Sequence, residues 1–472
     1  MKTAAALSQR LQALHARTAE TPLFNPVFQL SLELSRLLES GDLSLETATG
    51  LVNELECESL QSRAARLRSL VAPLEPGTNI AAVRQLVTAS ESFESFSKQV
   101  ASPLFHVVFT AHPTFLLTPD QTQAVVQAAS SGEFSAEAVC VVATERPAIT
   151  LDVEHDAAMA ALARGQDARD AIHHAILAEA ARRWPDQWRT LRPALFRFAS
   201  WVGYDMDGRT DIGWTTSIRY RLKEKVLRLE RYAASLAAID AQSPHLPLLQ
   251  AAADHSRRMI GLFGEDVTDP AKLSAAADAL TDVNDPARLI SLAQIIAALE
   301  QAAATAEPER VADLLTLAAA MRSDGLGMGD IHFRVNSSQL QNAIRRKIDP
   351  DNRLDLASKA ALARMRALLD KTQPLRTNFA ALAIENTTAV RQFLAMAQIL
   401  HHIDADTPIR MLVAECENPQ TVLAALYFAR LFGIEGKVDV SPLFETESAL
   451  EHGGRFLDAL LGEPHYRAYA RQ

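Results

Sequence analysis

A chain of 472 residues exceeds one ordinary domain and suits a barrel enlarged by helical insertions. Hydrophobic residues at 48% and charged residues at 22% give the balance of a soluble globular protein with a large core. The 47 Lys and Arg against 57 Asp and Glu leave a formal charge of −10 without any basic run, which excludes nucleic-acid and anionic-membrane binders.

The first twenty residues hold no apolar run that would mark a signal peptide, and no window reaches 18 uninterrupted apolar residues. Helical periodicity fills roughly 27–71, then a run of strand length follows at 104–110. Similar short apolar or β-branched runs occupy 138–144, 195–202, 330–335, 409–414 and 438–443. Between them lie helical patterns at about 152–184, 245–263, 271–323, 337–370 and 388–403. In the segment 211–240, Trp214, Ile218, Leu222, Val226, Leu229 and Leu236 recur at helical spacing behind Asp211 as N-cap. The cysteines Cys57, Cys140 and Cys416 are far apart, odd in number and without a CxxC pair, so neither a zinc ribbon nor a disulfide framework is expected. The expected setting is a reduced cytoplasm.

Strands alternating with helices predict an α/β chain, predominantly α, with a parallel sheet. The expected architecture is an incomplete (β/α) TIM-type barrel with about six of the eight strands and large helical insertions. Its expected divisions are an N-terminal helical region (1–103), first barrel strands (104–210), a helical insertion (211–327) and further strands and helices (328–472). In such a barrel the C-terminal strand ends share one mouth. That would gather His112 after the first run, an Asp/Gly-rich turn at 203–208, Arg334, and the glutamates Glu415, Glu417 and Glu445. Asp205 and Asp207 suit an Asx-type turn better than a metal motif. Gly325, Gly327 and Gly329 precede a strand instead of opening a helix, which excludes a dinucleotide loop. From the residues alone, the site suits a phosphorylated or carboxylated substrate with a divalent cation.

Four segments make this more specific. VVFTAHPT (107–114) resembles the TAHPTE signature of phosphoenolpyruvate carboxylases, and FASWVGYDMDGRT (198–210) resembles their SWMGGDRDGNP segment. IHFRVNSSQ (331–339) is similar to the DIRQES-type strand. VSPLFETESAL (440–450) is similar to VPLFET, and LLGEPHYRAY (460–469) continues in the same way. The resemblance spans nearly the whole chain and roughly the first half of a family member. It implies attack of bicarbonate on the phosphoryl group of phosphoenolpyruvate, followed by carboxylation of the enolate to oxaloacetate.

By position in these motifs, the resemblance implies that His112 is the catalytic histidine and Arg334 a substrate-binding arginine. It also implies Trp201 near a bicarbonate pocket, Glu445 as a ligand of Mg²⁺ (or Mn²⁺), and a homo-oligomer for the complete enzyme. Phe115, Tyr204, Met206, Arg209, Thr210, His332, Val335 and Asn336 depart from the family pattern. The family's GYSDSxKD and GRGG segments, which add a metal carboxylate, a lysine and arginines, are not in this sequence. The expectation is therefore an N-terminal part, inactive alone, whose partner would be a C-terminal half in trans. The alternative is a short homologue acting as a binding or regulatory module without carboxylation.

Overall fold

The computed structural model describes residues 3–19, 21, 24–71, 76–109, 117–141, 148, 150–206 and 211–471. The chain divides into two compact units, Met1–Asn79 with His112–Ile149 and Ile80–Ala111 with Thr150–Gln472.

The first unit is helical. Its helices Ala4–Ala16 and Pro26–Glu39 begin where the side chains of Thr3 and Asn25 accept from the N–H groups of Ala6 and Phe28. The long helix Leu45–Val71 packs against Pro119–Ser131 and Ala136–Val139, burying Leu60, Ala64, Val125, Ala128 and Val139 together. This packing corrects two expectations. The run 138–144 is no strand in its described part. Ser135 accepts from the N–H of Ala138 and nucleates a helical turn that holds Ala138 and Val139, while 142–144 lie outside the described residues. Cys57 and Cys140, 83 residues apart in sequence, meet as a disulfide with Cα atoms 4.8 Å apart. The helix pair supplies a proximity that spacing along the chain does not reveal. Cys416 is free and buried.

Among the described residues the second unit carries five parallel strands: β1 Phe105–Phe109, β2 Phe196–Ser200, β3 Asp330–Asn336, β4 Ile409–Ala414 and β5 Val438–Pro442. Each pairs with its successor in sequence, giving the order β1-β2-β3-β4-β5. The chain is mostly helical with a small parallel sheet, as an α/β protein should be, and these five strands do not close into a barrel.

Alternation sorts the strands' side chains onto two faces. Ile331, Phe333 and Val335 on β3, Ile409, Met411 and Val413 on β4, and Val438 and Val440 on β5 join a core with Phe393, Met396 and Phe428 from the covering helices. The opposite face carries His106, Arg197, Asp330, His332, Arg334, Arg410 and Asp439, placed together by the cross-strand register.

Among the described residues, five helices lie between β2 and β3, from Trp214–Ile239 to Pro308–Asp324. Trp214–Ile239 is the polar spine of the unit. Its fully buried Arg221 donates to Glu224 at 2.7 Å and to Asp404, and Arg228 meets Asp324 at 2.6 Å. Asp324 also accepts both guanidinium nitrogens of Arg169, at 2.6 and 2.8 Å. The glycines before β3 serve this network. A Cβ on Gly327 would lie 1.9 Å from Arg221, and Gly329, at φ +131, passes so close to β2 that a Cβ would meet the Phe198 carbonyl oxygen at 2.5 Å.

The two sheet edges are treated differently. At β5 the Tyr469 hydroxyl accepts from the Val440 N–H at 2.7 Å and donates to the Val438 carbonyl, and Tyr466 donates to the Val440 carbonyl at 3.3 Å. At β1, Leu104 and Phe105 are 58% and 59% exposed.

Candidate active site at the strand ends

Arg334 stands near the C-terminal end of β3, and its guanidinium reaches Glu445, three residues past the end of β5. Its Nη2 donates to both carboxylate oxygens, at 3.0 and 2.9 Å. Parallel pairing makes this reach natural, because β3, β4 and β5 end side by side. The ladder continues past β4, where Leu443 donates to the Val413 carbonyl at 2.9 Å and Cys416 to the Leu443 carbonyl at 3.3 Å. It thereby holds Glu415 and Glu445 against each other.

Glu415 is a glutamate in the left-handed region, at φ +51. Such a backbone costs of order 1 kcal/mol or more for a residue with a Cβ, and it collects at functional sites. Here it aims the Glu415 N–H at Glu445 Oε1, 2.9 Å away, while its own carboxylate accepts from Asn336 at 3.1 Å. Thr446 donates to Glu417 at 2.8 Å and, as N-cap of the helix Glu447–Gly462, accepts from the Ala449 N–H at 3.1 Å. Glu415, Glu417, Asn336 and Thr446 carry no role in the sequence-based reading. The only legible signal is their place at the end of an apolar strand or within four residues beyond it.

Trp201 follows β2 directly and is half-buried. Its carbonyl accepts from the N–H groups of Tyr204 and Asp205, at 2.9 and 3.1 Å. This turn brings Asp205 into a parallel bridge with Arg334, so the segment bearing Trp201 abuts the arginine. Gly203, at φ +89, is required there, since a Cβ would lie 2.2 Å from the Tyr220 ring. Tyr204 turns inward instead of facing the site. Its hydroxyl donates to Glu224 at 2.8 Å, and burial raises its pKa well above the usual value. His112 and Asp207 lie outside the described residues.

The structure thus brings Arg334 and Glu445 into contact, sets the Trp201 turn beside them, and surrounds them with Glu415 and Asn336. A divalent cation does not fit what is described. Among the described residues no cluster of three or more His, Cys, Asp or Glu side chains could hold a metal. Glu445 has both oxygens engaged by Arg334 and one also by the Glu415 N–H. Hard cations such as Mg²⁺ need several oxygens left free of such partners. An anion is the better fit, because a planar guanidinium holds carboxylate or phosphate oxygens in the same way it holds Glu445.

No curated protein matches the chain. The family model for phosphoenolpyruvate carboxylase matches residues 269–472, a span that contains β3, β4 and β5 and leaves Trp201 and His112 outside it. Residues 269–472, and with them the strands that carry Arg334 and Glu445, are related to the phosphoenolpyruvate carboxylase family.

Proposed function

We propose that this chain forms a phosphoenolpyruvate-binding site of the carboxylase type, with Arg334 as its anion-binding group. The observation that carries the reading is the Arg334–Glu445 contact at the ends of β3 and β5, inside the segment related to the family. Five consecutive parallel strands support an arc of a (β/α) barrel, with this site at its mouth. His112 follows β1 in the sequence and is assigned the catalytic histidine role. Trp201 is assigned to the wall beside the arginine, where bicarbonate would enter.

Glu445 fills the arginine in the resting chain, as an internal carboxylate standing in for substrate. Phosphoenolpyruvate would displace it, its phosphoryl or carboxylate oxygens taking the two guanidinium hydrogen bonds. Mg²⁺ or Mn²⁺, which the family relationship implies, has no free donor set among the described residues, and no step is assigned to it. Arg334 is the charge assigned here to spread the charge of phosphoryl transfer. Lacking one preorganised charge-stabilising group typically costs on the order of a hundredfold or more in rate. The chain by itself therefore binds the substrate anion and does not carboxylate it, which favours the binding-module reading for the isolated polypeptide.

Two measurements test this. Isothermal titration with phosphoenolpyruvate should show saturable binding that Arg334→Gln abolishes, and a malate-dehydrogenase-coupled assay with bicarbonate and Mg²⁺ should show no oxaloacetate. Turnover by the purified chain would overturn the inactive reading, and undiminished binding by Arg334→Gln would overturn the site.

A further inference from the structure

Deeper on the polar face of the sheet, three buried nitrogens from three strands have no hydrogen-bond partner among the described residues: His106 Nε2 on β1, His332 Nε2 on β3 and Arg410 Nε on β4. His332 is only 4% exposed. Its ring meets the His106 ring edge-on, with centroids 5.4 Å apart, and Arg410 is its direct cross-strand neighbour. Leaving such a group unpaired is costly, and three on neighbouring residues of one face call for a common acceptor. The carboxylates nearby are already engaged. Asp330 accepts from Arg197 at 2.8 Å and lies 3.4 Å from His106 Nε2, in poor alignment for a hydrogen bond, and Asp439 lies 3.7 Å from Arg410.

We propose that His106, His332 and Arg410, with Arg197 at the side, form a small-oxyanion site on this face, separate from the contact between Arg334 and Glu445. Its ligand class is a tetrahedral or trigonal oxyanion such as sulfate, phosphate or a free carboxylate, which only accepts hydrogen bonds. Arg334 stands two residues further along β3, about 7 Å away, so the proposal does not rest on the function assigned to that arginine.

The electrostatics favour an anion as Asp330 loses its charge. Burial, then Arg410 and Arg197, depress His106 to about 4, and burial, then Arg410 and His106, depress His332 to about 3. Both rings are neutral at pH 7, and each has an N–H to donate beside the guanidinium groups of Arg410 and Arg197. The charged groups facing them are Arg197 on β2, Asp330 on β3, Arg410 on β4 and Asp439 on β5. Burial raises Asp330 to about 6 against the pull of Arg197, so this carboxylate is the first of the group to be neutralised as pH falls. Anion binding should therefore tighten between about pH 8 and pH 5.5, as the repelling charge is lost.

The test is a titration of the histidine-labelled chain with sulfate, whose charge is constant over that range, followed by NMR. The expected result is saturable, parallel shifts of the His106 and His332 signals, with tighter binding at lower pH. Arg410→Gln should weaken sulfate binding by about tenfold or more, the loss of a charge-assisted hydrogen bond. His332→Gln gives a second variant, read on the remaining His106 signal, should Arg410→Gln not fold. Arg334→Gln should leave both histidine responses in place. Histidine signals that ignore sulfate, equal responses in wild type and Arg410→Gln, or a response lost only in Arg334→Gln would each overturn the proposal.

Discussion

Lys225 shows what the interior of the second unit demands of single residues. It is fully buried in the helix Trp214–Ile239, and its ammonium donates to the carbonyls of Ile403 at 2.9 Å and of Leu289. Burial pushes its pKa down to about 7, against about 10.4 in an unfolded chain. The folded state therefore disfavours the charged form. That penalty is fully present below about pH 7 and is relieved as pH rises toward the unfolded value. The urea midpoint of the wild type, relative to Lys225→Met, should accordingly climb between about pH 7 and pH 9. A difference that stays flat, or falls, would contradict the assigned state of Lys225. Asp324 poses the complementary case. Burial alone would raise its pKa, but Arg169 and Arg228 hold it below the usual carboxylate range. Asp324→Ala should cost about 3–5 kcal/mol in unfolding experiments, because Arg228 would remain buried without its carboxylate partner and Arg169 would keep Asp170 alone. None of this network is legible in the sequence. Arg169 and Asp324 are 155 positions apart and Arg221 and Asp404 are 183 apart; the arginines sit in helical patterns that also suit a solvated face, and the aspartates fall just past the ends of two others.

At the scale of elements, short apolar runs translated well into strands where helices flank them. The run 409–414 coincides with β4, and the other four agree with β1, β2, β3 and β5 to within two residues at either end. The run 138–144 fails because Ser135 supplies a helix cap that outweighs a short β-branched pattern. Edge protection was not legible either. A tyrosine in a C-terminal helix reads as core or surface until the structure shows its hydroxyl replacing a neighbouring strand at β5. Tyr469→Phe should leave the Val440 amide without its acceptor and speed its hydrogen exchange by roughly tenfold, the equivalent of about one hydrogen bond. Unchanged protection at Val440 would show that the tyrosine does not seal this edge. At β1 the exposed Leu104 and Phe105 remain uncovered, and unsealed apolar edges of this kind favour association.

For the whole molecule, the parallel order of the strands explains why a site could be read from sequence at all. Polar residues just past apolar runs gather at one end of such a sheet, so Arg334 and Glu445 meet although 111 positions separate them. What the sequence could not show is that they bind each other. The motif resemblance casts Glu445 as a metal ligand, whereas the left-handed turn at Glu415 directs an extra N–H to its carboxylate and favours the arginine contact. The two roles predict opposite outcomes for one variant. Phosphoenolpyruvate should be titrated into wild type and Glu445→Gln without divalent cation, with heat of binding as the readout. If Glu445 competes internally for Arg334, Glu445→Gln frees the guanidinium and tightens binding by several-fold or more. Weaker or unchanged binding in Glu445→Gln would contradict the account of this site.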